Sequence, residues 1–82
     1  MKVVVISNLT RNVMAEHLKT VFGFYGEIRK VDLPTYRTTG HNRGKAALEY
    51  FDGSSAAKAA KHMDGGQLDG EILNVELSDF PL

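Results

Sequence analysis

The sequence predicts an α+β fold: a four-stranded antiparallel sheet with two helices on one of its faces, in the order β-α-β-β-α-β. Three observations carry this. Two stretches of helical period alternate with four short stretches of strand character. The connections between them are short. Finally, 82 residues of which 43% are apolar supply one core and not two. Right-handed crossovers then place both helices on the same side of a single sheet.

Val3 to Ile6 is a β-branched run ended by Ser7-Asn8, which reads as a buried strand. From Val13 to Phe22 the period turns helical, with Leu18, Val21, Phe22 and Tyr25 on one stripe. Asn12 is the predicted N-cap and Gly26 closes the segment. Glu27 to Leu33 alternates loosely through Ile28, Val31 and Leu33 until Pro34 stops it. Thr38 to Asn42 is a polar hairpin connection, followed by a strand from Arg43 to Phe51. The second helix runs from Ser54 to Met63, with Ser54 or Ser55 as cap, four alanines for propensity and Gly65-Gly66 as terminator. Ile72 to Leu77 is the last strand, with Leu73, Val75 and Leu77 spaced by two.

Composition excludes several chemistries. There is no cysteine, so disulfides, thiolate metal sites and thiol nucleophiles are out. No apolar run approaches the roughly 20 residues that cross a bilayer. Lys and Arg equal Asp and Glu at ten each, but the balance is uneven along the chain. Arg29, Lys30, Arg37, Arg43 and Lys45 face a single acid, Asp32, within positions 29–45. Asp64, Asp69, Glu71, Glu76 and Asp79 follow with no base between them. Such runs are also what ordinary solvated faces look like.

The motifs narrow this further. Val4-Val5-Ile6-Ser7-Asn8-Leu9 resembles the second ribonucleoprotein motif of RNA-recognition motif (RRM) domains, and Arg43-Gly44-Lys45-Ala46-Ala47-Leu48-Glu49-Tyr50 resembles the first. Leu18, Phe22, Tyr25-Gly26, Ile28, Ala56, Ala59, Met63 and Gly65 fall where RRMs place core and turn residues. The resemblance implies the ferredoxin-like RRM fold over residues 1–82 as a single domain.

RRMs that grip single-stranded RNA stack bases on aromatics of the open sheet face, each worth about 1–3 kcal/mol. Side chains alternate along a strand, so Val4 and Ile6 point to the core and Val5 points out. Likewise Ala46 and Leu48 point in, while Lys45 and Ala47 point out. The three stacking positions thus hold Val5, Lys45 and Ala47, and none is aromatic. Losing the stacks moves expected affinity from about micromolar to about millimolar. What remains for RNA is charge: Arg43, at the basic motif position, with Lys30 and Lys45. Lys45 has a structural alternative, pairing with Asp32, Glu49 or Glu76. Tyr50 sits where the motif supplies a core aromatic.

Leu9-Thr10-Arg11-Asn12-Val13, Tyr25-Gly26-Glu27-Ile28, Val31-Asp32-Leu33-Pro34 and above all Lys61-His62-Met63-Asp64-Gly65-Gly66-Gln67-Leu68-Asp69-Gly70 are similar to the RRM of the RNA-binding protein with serine-rich domain. That resemblance implies a nuclear splicing regulator at the periphery of the exon junction complex. It also implies an RRM that docks proteins, namely an Acinus- or Pinin-type peptide and the ubiquitin-like Sin3-associated polypeptide. These 82 residues lack the serine-rich segment and the Arg/Pro-rich tail that flank the RRM in that family. Two readings follow, an excised domain or a shortened relative without the tail functions. Lys45 and Ala47 replace tyrosines general in the family, Met14 stands where a capping Thr is common, and Ala60 replaces a larger residue.

For a docking partner the helical side is the expected surface, with Met14, His17, Lys61 and His62 as partner-binding candidates. Tyr36 and Phe80-Pro81 are further loose apolar groups. Each of these is also ordinary surface in a small domain. A second function class stays open, a sequence-selective single-stranded RNA binder that uses loops and termini. Catalysis finds no support: Ser7-Asn8-Leu9-Thr10 has no glycine to form the phosphate cradle of acylphosphatases. His17, His41 and His62 lie in separate elements without ligand spacing, so neither a metal nor another cofactor is expected.

Overall fold

The computed structural model describes residues 1–80 and residue 82; the Pro81 reading lies outside the described residues. Its elements are β1 (Val3–Ser7), α1 (Ala15–Phe22), β2 (Ile28–Asp32), β3 (Lys45–Tyr50), α2 (Gly53–Met63), β4 (Gln67–Leu68), β5 (Glu71–Ile72) and β6 (Asn74–Ser78). A 3-10 turn over Gly23–Tyr25 extends α1. The main sheet is antiparallel in the order β2-β3-β1-β6, as the element order demanded. Helices and sheet enclose one core: Val4, Ile6, Leu18, Phe22, Leu48, Tyr50 and Leu73 are all fully buried. Each such side chain contributes roughly 1.5–3 kcal/mol by leaving water.

Tyr50 is the core aromatic the motif predicts. Its hydroxyl donates to the Phe22 carbonyl at 2.7 Å, so the buried phenol is satisfied. Burial, helped by Tyr25, pushes its pKa far above the usual tyrosine range.

Four boundary expectations need correction. The first helix starts at Ala15 with Met14, not Asn12, at the extended N-cap position. The second is capped by Asp52, not Ser54 or Ser55: its carboxylate accepts from the Ser54 N–H at 3.3 Å and the Ser54 hydroxyl at 3.0 Å. Ser55 is instead buried against Gly26, where an added Cβ would lie 2.0 Å from its hydroxyl oxygen. The third strand begins at Lys45, because Gly44 takes a positive φ of 91° and leaves the ladder. The last begins at Asn74. Residues 67–72 before it form a separate two-stranded hairpin, β4-β5, turned by Asp69 (φ 51°) and Gly70 (φ 83°).

Candidate nucleic-acid interface and partner face

The register spells out the open face of the sheet row by row. One row reads Asp32, Ala47, Val5, Glu76; another reads Lys30, Glu49, Val3, Ser78; a third reads Lys45, Ser7, Asn74. The three stacking positions are thus brought together, Val5 opposite Ala47 and Lys45 one row away, and the rows hold no aromatic. The first row is acidic at both ends, the second sets Lys30 beside Glu49, and the third holds Lys45 as its one charge. Glu49 pairs with Arg29, displaced by a bulge in β2, and this is the ion pair found among the described residues. Lys45 therefore does not take Glu49, the partner offered by its alternative reading. The Lys30 ammonium donates to the Leu82 carbonyl at 3.3 Å. Such a face offers RNA neither a stacking platform nor a field of one sign.

Arg43 lies beyond the paired rows, before the first residue of β3. It lies in the β2–β3 hairpin, with its guanidinium carbon 5.2 Å from the centre of the Tyr36 ring. The hairpin is tightly bonded within itself. Tyr36 N–H donates to the His41 carbonyl, Gly40 N–H to the Tyr36 carbonyl (both 2.8 Å) and Arg43 N–H to the Pro34 carbonyl at 3.1 Å. Asn42, only 4% exposed, fastens it to the β1–α1 loop. Its amide donates to the carbonyls of Thr10 (2.7 Å) and Val13 (2.8 Å), and its oxygen accepts from the Gly44 N–H at 2.8 Å. The His41 ring Nδ1 adds a contact to the Arg11 carbonyl at 3.2 Å. Arg11, Tyr36, Arg37, His41 and Arg43 are thereby gathered at one end of the sheet.

On the helical side the four partner candidates form two pairs. Met14 and His17 share the first turn of α1, where the Met14 N–H donates to the His17 ring Nδ1 at 3.2 Å. His17 thus closes the helix start from inside, the reciprocal half of a capping box, and Met14 is left 63% exposed beside the groove lined by Val13, Val31 and Leu33. Lys61 and His62 lie in the last turn of α2, a favourable place for cations. His62 stacks on Tyr25, centroids 5.7 Å apart and planes 9° from parallel. Among the described residues no group of three His, Asp or Glu side chains is placed to hold a metal, and no helix is long and apolar enough to cross a membrane.

The sequence model of the RNA recognition motif family matches residues 4–74. The chain belongs to this family. Its RRM is 38% identical over 81 residues to the RNA-binding protein with serine-rich domain 1 homolog of Schizosaccharomyces pombe, covering 99% of this chain and 33% of that one. It is 37% identical over 68 residues to the serine/arginine-rich splicing factor SR45 of Arabidopsis thaliana, covering 83% and 16% respectively. The chain therefore spans a third or less of these curated relatives, which are named for RNA binding and splicing. The solved Rna15 RRM with bound GU RNA shares the fold at a TM-score of 0.90 and 23% identity, covering 95% of this chain and 83% of that one.

Sequence reasoning missed the loop end of this RRM as a unit. Arg37 entered only the charge count, Arg43 only as the basic motif residue offered to phosphate, Tyr36 only as a loose apolar group, and Asn42 only as hairpin polarity. A signal was present, since Tyr36-Arg37 and Arg43 flank a hairpin whose first and last residues must meet.

Proposed function

We propose that this RRM is a protein–protein adaptor in nuclear pre-mRNA splicing assemblies associated with the exon junction complex, with RNA contact that is electrostatic and weak. Its partners, on the resemblance to the serine-rich-domain family, are an Acinus- or Pinin-type peptide and the ubiquitin-like Sin3-associated polypeptide. The observation that carries the reading is the row Asp32, Ala47, Val5, Glu76 across the centre of the open face, acidic at both ends and without an aromatic. A surface of that kind cannot pay for ordering single-stranded RNA by stacking. The helical side supplies the alternative, with Met14 exposed beside an apolar groove and His17, Lys61 and His62 as polar neighbours of their own helix ends. Val5 and Ala47 then give the sheet a small, uncharged centre with nothing to stack a base, while Lys30 and Lys45 keep it soluble and meet phosphate only through charge.

The test is an NMR titration of the labelled chain, once with mixed-sequence RNA and once with an Acinus or Pinin fragment plus the ubiquitin-like subunit. Tight, saturable shifts at Met14, His17, Lys61 and His62 with the peptide are expected, and Met14→Asp is expected to remove them. Saturable RNA shifts at Val5, Lys45 and Ala47 that persist in about 200 mM salt would refute the adaptor reading, because charge-only contacts fade there.

A further inference from the structure

The two α-helices start on groups that answer differently to a proton. α2 begins on the Asp52 carboxylate. α1 begins on an imidazole: His17 Nδ1 accepts from the Met14 N–H at 3.2 Å, while the Met14 side chain makes no capping bond. An imidazole nitrogen accepts only when it carries no proton, so this bond fixes a neutral His17 with its hydrogen on Nε2. The other two histidines hold contacts that a proton leaves in place. His41 Nδ1 meets the Arg11 carbonyl, itself an acceptor. His62 stacks on Tyr25 in the last turn of α2, where positive charge is favoured.

We propose that His17 is a protonation switch for the docking face: neutral, it closes the start of α1 and holds Met14 in place; protonated, it gives up the Met14 N–H and turns to the Asp69 carboxylate. The inference rests on the docking reading above and names how that site is regulated. The ring has somewhere to go, because it lines a cavity of about 210 Å³ together with Asn12, Val13, Leu68 and Asp69. Asp69 brings a carboxylate to that cavity from the β4–β5 hairpin, and now accepts only the neutral Thr10 hydroxyl. Glu16 is the acidic neighbour of His17 on α1, and Thr20 and Val21, one turn on, carry no charge. A cation at this position also opposes the positive end of the helix, which further favours the uncapped form. Histidine is the side chain that changes charge between about pH 5 and 8, so the switch works near neutrality. The sign follows from the bond: it exists in the neutral ring alone, so docking is strongest at the alkaline end of that range and falls with acid. A first turn that has frayed must be reordered before a partner can use Met14, and the apparent affinity drops by the fraction still formed.

Two NMR series test it, one on the free chain and one with the fragment of the titration above, each between about pH 7.5 and about pH 5.5. In the free chain the Met14 amide resonance should follow the His17 ring titration, and the helical shifts of residues 15–18 should shrink as the ring charges. With the fragment, affinity should fall about fivefold across the range, the size of one lost helix cap. Glutamine at this position keeps an acceptor that never titrates, so His17→Gln should show one affinity at both ends of the range. His41→Gln and His62→Gln should each keep the parent's ratio between the two ends. Asp69→Asn, by removing the anion that receives the charged ring, should move the fall to lower pH. A Met14 amide that ignores the His17 titration, or a pH response that survives His17→Gln, would overturn the switch. A fragment that binds equally at both ends overturns the switch alone. No saturable binding at about pH 7.5 would instead refute the docking reading itself.

Discussion

Two hairpins flank the β1–α1 loop, and they are fastened to it by opposite means. The 34–44 hairpin is basic and held by one buried neutral side chain, Asn42, so its arginines remain free. The 67–72 hairpin is acidic and held by exposed bonds in which its carboxylates take part: Asp69 accepts from the Thr10 hydroxyl and Glu71 from the Asn8 amide, which also donates to the Ile72 carbonyl. A residue-by-residue charge count sees two balanced runs. The fold turns one into a set of available cations and the other into structural acceptors, and the difference lies in who makes the fastening bonds.

Removing the buried fastener should have the largest effect. Asn42→Ala leaves the buried Val13 carbonyl and the Gly44 N–H without their partners and the Thr10 carbonyl with the Val13 N–H alone, a cost of about 2–3 kcal/mol. Urea denaturation measures it, and hydrogen exchange should rise together at residues 9–13 and 35–44. If only the hairpin loosened, the two segments would not be one unit.

Tyr50, at the far end of β3, supplies a reference where burial rather than loop bonding dominates. Tyr50→Phe should cost about 1 kcal/mol through the lost bond to Phe22. It should also change the alkaline response. The folded-state pKa lies above the unfolded value of 10.0, so stability is intact below that pH and declines above it, by about 1.4 kcal/mol per pH unit. Parallel denaturation of parent and variant above about pH 10 checks the sign: the parent should lose stability faster.

On the acidic side the costs should fall below that of Asn42→Ala and be separable. Asn8 holds a left-handed φ of 67° and donates to the Ile72 carbonyl at 2.8 Å. Asn8→Ala should therefore lose both conformation and bond, about 1–2 kcal/mol, whereas Asn8→Gly keeps the conformation and loses the bond alone. Equal losses would mean that backbone strain contributes nothing there. Asp69→Asn retains an acceptor for Thr10 and should fall within about 0.5 kcal/mol by thermal melting.

These contrasts also mark how far the sequence could be read. The strands, the Tyr50 core position and the outward set Val5, Lys45 and Ala47 were legible because period two and the motif spacing are local. Asn42 was not, because its carbonyl partners lie about thirty positions back and become neighbours only once β1 pairs with β3. The helix caps went astray for a nearer reason. Ser54 and Ser55 have the right chemistry, but Asp52 stands where the chain is still extended, and Ser55 is drawn into the seam against Gly26. The Asp69-Gly70 turn is a strong local hairpin signal, masked by strands of two residues that leave no period to see.

Met14 joins stability to function. Its backbone is extended at φ −114° and ψ 162°, the geometry of an N-cap, yet its side chain brings no hydroxyl to the first turn, and the His17 ring instead accepts from the Met14 N–H. Met14→Ser should add the missing acceptor and raise stability by about 0.5–1 kcal/mol. An exposed methionine kept at a position where serine would stabilise the helix has a reason if the thioether meets a partner. Met14→Ser should then weaken the docked peptide in the titration above while raising the melting temperature of the free chain. A variant that gained stability and bound the peptide unchanged would remove Met14 from the docking surface and leave the groove beside it without its most exposed apolar wall.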